Sequence, residues 1–346
     1  MTETLTLDES AVQEEYFERG WTDGLPIVPP TPERVDAFLA AAALRPDDSL
    51  GTVVQRNRTI SAQDAAINAI MAGCKPAYFP IVVAGVRALT DPAYNANGAL
   101  TSTGGTAICT IVSGPLAAAV GMNSAHNVLG QGNRANATVG RALRLVAMNV
   151  LGAKPGLLDG ASIGNPGKYS LCFAESEPIE PWAPLRVELG YSLDDTTVTI
   201  IASEGPRQIA NLLTGDPEWV LRTFASSLRA GHTYIAGKGG QCVFLLGPEH
   251  ASAIRDAGWS RDQARAYLML QTRLSAADLE AAGVPLESTG AHTMVAEPDG
   301  LYATFQNPED LLIVCAGGAG AGWSAVIPAW APKNNSRSVT KVVEIR

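Results

Sequence analysis

The stretch "GMNSAHNVLGQGNRANATVG", residues 121–140, concentrates the side chains best suited to chemistry. His126 is one of four histidines in the chain, and imidazole is the usual proton-exchanging group near neutral pH. Asn123 stands close enough in sequence to polarise the same substrate. Asn133, Arg134 and Asn136 follow where a helix should start, and free N–H groups there suit a carboxylate or phosphate. Two readings stand together. One is an anion-binding helix start with His126 as a catalytic base. The other is an N-capped surface helix with salt-bridged arginines and a structural histidine. Gly130, Gly132 and Ala135 match G-x-G-x-x-A, but no strand precedes them and no ribose-binding acid follows, which argues against a dinucleotide site.

Five further positions carry candidate chemistry. Cys74, in "MAGCKPAYFP", falls at a bend between two helices beside Lys75; it is either a reactive thiol or a small buried residue. Glu175 and Glu177 follow the alternating strand 169–174, and carboxylates two apart share a side if the chain stays extended. They would act as general acid and base or hold a cation, unless they form a solvated acidic loop. Lys168, in the glycine-rich approach to that strand, adds a cation for substrate binding. Asp23 sits in the turn Thr22, Asp23, Gly24 and joins Cys74, His126 and Glu175 as a catalytic candidate. No HxH, HExxH or Cys/His cluster has metal-site spacing, so no metal ligands are assigned. His232 and His292 lack a recognisable context, and Glu249 beside His250 is explained by a helix first turn. "GKGG" (237–240) is too short for a phosphate loop, and nothing identifies a cofactor.

Elements that must position these groups are legible from pattern. An apolar β-branched run followed by a glycine-rich turn recurs four times, in "TAICTIVSGPLAAAVG", "TTVTIIASEGPRQIANLL", "QCVFLLGPEHASAIRDAG" and "DLLIVCAGGAGAGWSAVI". The first three carry Gly-Pro, which predicts a buried strand, a tight turn and a helix opened by proline. The fourth keeps the strand but is less clearly helical. Helices are expected over 9–19 and 32–44, and after a capping Ser61. A strand is expected at "TVVQRNRTI", and a helix packed through positions 139, 142, 143, 146 and 150. The expected fold is α/β, with two related lobes around mixed sheets, 1–180 and 181–346, joined near the prolines of 178–185.

Composition narrows the partners. The chain has 346 residues, a formal charge of −9, 46% hydrophobic and 17% charged residues. An acidic balance argues against nucleic acid and anionic membranes. Low charge suits a large interface, so a homo- or hetero-oligomer is expected. Five scattered cysteines without CxxC, and an acidic start without an apolar leader, fit a cytoplasmic protein.

Several stretches together resemble one family. "GWTDGLPIVPPT", "AINAIMAGCKPAYFPIVVAGVRAL", "GQGNRANATVGRALRL", "NPGKYSLCFAESE" and "GPEHA" are similar to the large protein that accompanies UGSC-motif (seleno)proteins in bacteria. The resemblance covers nearly the whole chain and implies a small companion with a selenocysteine-or-cysteine Gly-Ser-Cys segment. No such segment occurs here, so that group would act in trans. One stretch departs: "TSTGGTAICTIVSGP" lacks the Thr-Thr-His-Pro expected before the strand and the Asn-Gly-Pro expected after it. The leading expectation is an enzyme, or the larger subunit of a two-component enzyme, acting on a small anionic metabolite by thiol, redox or lyase chemistry at a carbon–heteroatom bond. A non-catalytic scaffold or substrate-binding subunit, and a metal-dependent hydrolase using Asp23, His126, Glu175 or Glu177, are the alternatives.

Overall fold

The computed structural model describes residues 11–177, 181–230, 235–286 and 294–345. His232, His292 and residues 178–180 of the expected linker lie outside these.

The N-terminal third is mainly helical. Helix α1 (Val12–Glu18) stops before Gly20, and α2 (Pro32–Ala41) opens on its proline. The run expected as one strand is a hairpin, β1 (Ser49–Val53) and β2 (Arg58–Ser61), because Asn57 turns the chain in a left-handed conformation. Ser61 then closes a full capping box with Asp64 at the start of α3 (Ala62–Met71). Gly73 takes a positive φ and ends that helix, Lys75 is extended, and Pro80 sits in the first turn of α4 (Phe79–Leu89). Proline belongs there because its missing N–H would have had no intrahelical partner. The short α5 (Ala96–Thr101) follows, capped by Asn95.

An eight-stranded mixed sheet forms the centre. It contains β3 (Ala107–Ser113), β4 (Leu171–Ala174), β5 (Thr197–Ser203), β6 (Arg207–Ala210), β7 (Gly240–Leu246), β8 (Leu311–Cys315), β9 (Trp323–Pro332) and β10 (Val339–Val342). Two halves share one plan. β4 lies parallel to β3, which is antiparallel to β5; β8 lies parallel to β7, which is antiparallel to β9. Edge strand β10 pairs with β5, as β6 pairs with β9, and the halves join where Ser203 faces Ala329. Strands from both sides of residue 180 therefore pair in one half, and the expected boundary falls inside the sheet.

The Gly-Pro turns are built alike. Gly114 leads from β3 into α6 (Pro115–Ala119), and Gly247 leads from β7 into α10 (Pro248–Asp256). A hydroxyl from the antiparallel strand side holds each turn: Thr196 Oγ1 accepts from Leu116 N (2.9 Å), and Ser324 Oγ accepts from Gly247 N (2.9 Å). The other two copies of the motif differ from expectation. Gly205 and Pro206 lead into β6, and the glycine-rich run after β8 leads into β9, so strands follow where helices were expected. Both segments pair with a neighbouring strand, and that pairing overrides the local helix signal.

Helices cover the sheet on both faces. Ile108, Val112, Cys172, Ala174, Ile200 and Ala202 pack with α2, α3, α4 and α7 (Arg134–Asn149). Alternate residues Ala107, Cys109, Ile111, Leu171, Phe173 and Ile201 pack on the other side. There they share a core with α9 (Pro217–Ala230), α10 and α11 (Arg261–Gln271), while α8 (Leu185–Glu188) lies between β4 and β5 and α12 (Ala276–Ala281) follows α11. Burial on both faces explains why the strands read as continuous apolar runs. The edges β4 and β8 come together where Ser176 N donates to the Cys315 carbonyl at 2.7 Å.

Candidate functional site

Loop 121–133 spans from the N-terminus of α7 to the seam between the two halves. Asn133 caps α7 by accepting from Asn136 N (3.0 Å) and donates to the Gly121 carbonyl (2.8 Å). Asn136 is buried; its Oδ1 accepts from Asn123 N (2.9 Å) and its Nδ2 donates to the Asn123 carbonyl (2.8 Å). Asn123 in turn donates to the His126 carbonyl (2.9 Å) and accepts from Ala125 N (2.9 Å). The three asparagines expected to bind substrate are thus engaged in holding the loop. Their amides place His126 and Arg134 rather than reach toward a ligand.

Arg134 and Cys74 lie together at one end of the loop. The Arg134 side chain is exposed, and only its Nε is engaged among the described residues, donating to the Gly73 carbonyl at 2.9 Å. Lys75 is exposed beside it, and neither cation has a carboxylate partner among the described residues. Cys74 is buried in the helical core. Burial pushes its thiol up to about 12, and Thr138, Arg134 and Arg141 offset this only in part. Lys75 points to solvent and does not activate the sulfur, so the thiolate reading gives way to a protonated core thiol. Asp23 is not available to a substrate either, since it makes a two-pronged contact with Arg141 (2.7 and 2.8 Å) that ties the N-terminal turn to α7.

All five cysteines are buried and unpaired. A thiol reagent added to the native protein is expected to modify less than one sulfur per chain within minutes, and all five after unfolding. Rapid native modification at Cys74, located by peptide mapping, would contradict this placement.

Lys168 belongs to a separate buried cluster. Its Nζ meets Asp159 at 2.6 and 2.8 Å, and Arg144 also pairs with that carboxylate. Burial would raise the Asp159 carboxyl, but Lys168, the Ala161 N–H and Arg144 together hold it below its ordinary value. Lys168 is a structural cation neutralised in place, not a substrate-binding one.

At its other end the loop meets the second half. Ser124 offers its carbonyl to Gly317 N (2.9 Å) and to Ser176 Oγ (3.0 Å). The His126 ring lies against Gly318 so closely that a β-carbon there would be 2.0 Å from Nδ1. Any larger residue there would displace the ring, which is otherwise exposed. Gly320 N donates to Glu249 at 2.7 Å and fixes the glycine-rich turn 316–322 to the start of α10. Behind it, buried His250 donates from Nε2 to the Asn211 carbonyl (3.1 Å), so its Nδ1 receives the Ser324 hydroxyl (2.7 Å). Burial lowers the His250 pKa, with Asn211 and Glu249 opposing, and favours this neutral form.

Glu175 is buried in the interior at the ends of β3, β4 and β8. Both carboxylate oxygens accept from Leu185 N (2.9 and 3.0 Å), and Ser113 Oγ donates to Oε2 at 2.5 Å. Arg261 lies 3.8 Å from Glu175 and from the Cys315 sulfur, and Arg186 donates to Ser113 (3.2 Å). Burial raises the Glu175 pKa, opposed by Ser113, the Leu185 N–H and both arginines. Glu177 is exposed and 3.9 Å from Arg186. The two carboxylates therefore do not face one side, because the chain leaves the strand at Glu175. Among the described residues no three His, Cys, Asp or Glu side chains gather as metal ligands, and Asp23, His126 and Glu175 stand in three different environments.

Sequence reading missed Arg186, Arg261 and Cys315. The arginines occupy helical positions that look solvent-facing, and only the pairing of β8 with β7 brings Cys315 to the seam. No protein-family model, curated protein or solved structure matches the chain. Among the described residues no helix is long and apolar enough to cross a membrane.

Proposed function

We propose that this chain is an enzyme, or the larger subunit of a two-component enzyme, acting on a small anionic metabolite held at the start of α7. The observation that carries this reading is the pair Arg134 and Lys75, exposed beside a helix N-terminus without carboxylate partners among the described residues, in a chain of net charge −9. A guanidinium whose terminal nitrogens have no partner among the described residues, next to helix N–H groups, suits a carboxylate or phosphate. His126, exposed at the opposite end of the same loop, would exchange a proton with a substrate that extends along the loop from Arg134 to the seam. A thiol or selenol step would be supplied by a companion of the UGSC type, since every cysteine here is buried.

Calorimetric titration with orthophosphate, citrate and short carboxylates tests the reading. One of these anions is expected to bind, and Arg134→Ala to weaken it at least about tenfold, the loss of one charge-assisted contact. His126→Ala should leave that affinity within about twofold. Absence of binding by the whole panel, or unchanged affinity in Arg134→Ala, would remove the reading.

A further inference from the structure

Four large apolar side chains stand exposed on one frame: Leu212 (56%), Leu213 (96%), Trp219 (59%) and Trp323 (50%). Trp323 of β9 faces Ala210 of β6, and the chain runs from there through Leu212 and Leu213 toward α9. Asn211 holds all of them. Its N–H donates to the Gly322 carbonyl (3.1 Å), its Nδ2 to the Trp219 carbonyl (3.3 Å), and its Oδ1 accepts from Leu213 N (3.2 Å). The His250–Ser324 pair braces Asn211 from behind. Buried polar groups are thus spent on keeping an apolar shelf rigid and outward-facing.

The area identifies an occupant. These four side chains expose on the order of 500 Å² of apolar surface, the size of the largest patch on a typical monomer, which is often functional. A standard interface takes about 800 Å² from each partner, somewhat over half of it apolar, so the shelf supplies about the apolar share of one side. The rim carries both signs of charge. Asp216, Glu218 and Arg222 are exposed around Trp219, with Arg222 stacked 5.5 Å over its ring and 3.1 Å from Glu218. A twofold contact requires a surface complementary to itself, and a mixed-sign rim around an apolar centre meets that requirement. We propose that this shelf is the face through which two copies of the chain pair as a twofold dimer.

Sedimentation velocity of the full chain from about 1 to about 100 µM is the test. The expected result is a concentration-dependent dimer. Trp323→Arg and Leu213→Asp should each weaken it at least about tenfold, as for a central interface residue. The far-UV spectrum should be unchanged, as should the unfolding midpoint at a concentration where the wild type is monomeric, because the altered side chains are outside the core. Ile163→Arg, at a position 97% exposed elsewhere, should leave the dimer intact. A monomer across the whole range, which would assign the shelf to a different partner, overturns the proposal. So does a dimer that survives both shelf substitutions.

Discussion

Glu175→Leu is expected to lower the unfolding free energy by about 3–5 kcal/mol, the cost of removing one member of a buried charge cluster. Three losses combine. The Leu185 N–H and Ser113 hydroxyl lose their acceptor, and Arg261 and Arg186 lose a buried countercharge. Urea unfolding at neutral pH measures this, and a loss below about 1 kcal/mol would mean that the cluster is not cooperative. The pH response has a definite sign. A carboxyl whose folded pKa is raised stabilises the fold fully below its unfolded value of 4.5, and that contribution is lost as pH rises through the folded pKa. The wild type should therefore gain stability relative to Glu175→Gln as pH falls from neutrality through that folded pKa.

Gly114→Ala and Gly247→Ala should each cost about 3 kcal/mol or more, because the obstructing atom is backbone and cannot swing aside. A β-carbon at Gly114 would lie 2.3 Å from the Asp195 carbonyl oxygen, and one at Gly247 would lie 2.0 Å from that of Trp323. Gly114 adds a φ of +130°, which L-residues rarely adopt. Gly247 has an ordinary φ of −69°, so its penalty is purely steric. Gly132→Ala is the comparison: its φ of +112° is strained but its surroundings are open, and about 1 kcal/mol is expected. Equal mild effects at all three positions, read from denaturant midpoints, would contradict the shared plan of the two turns.

Local chemistry explains which parts were legible in the sequence. Gly73, Lys75, Pro80 and the Ser61–Asp64 box act within a few residues, and each appears where its covalent geometry requires. The Gly-Pro turns of β3 and β7 were readable for the same reason. Residues 207–210 and 323–332 were not, because their strand pairing comes from distant partners. The site failed to be legible in the same way. Asp23 and Arg141 are separated by 118 positions, and nothing near Asp23 signals that its carboxylate is engaged. Cys74 and Lys75 are adjacent in sequence yet face the core and the solvent respectively, so burial decides the thiol's chemistry. Asn123, Asn133 and Asn136 fall within fourteen positions, but their spacing alone does not distinguish binding a ligand from bracing a backbone.

Amide-resolved NMR titration of the native protein with the tightest-binding anion of the panel would locate the ligand directly. Shifts are expected at Lys75, at residues 131–135 and at the His126 imidazole, and Arg134→Ala should move their midpoint to at least about tenfold higher anion concentration. Shifts that bypass this loop, or that persist unchanged in Arg134→Ala, would contradict the placement of the substrate at the start of α7.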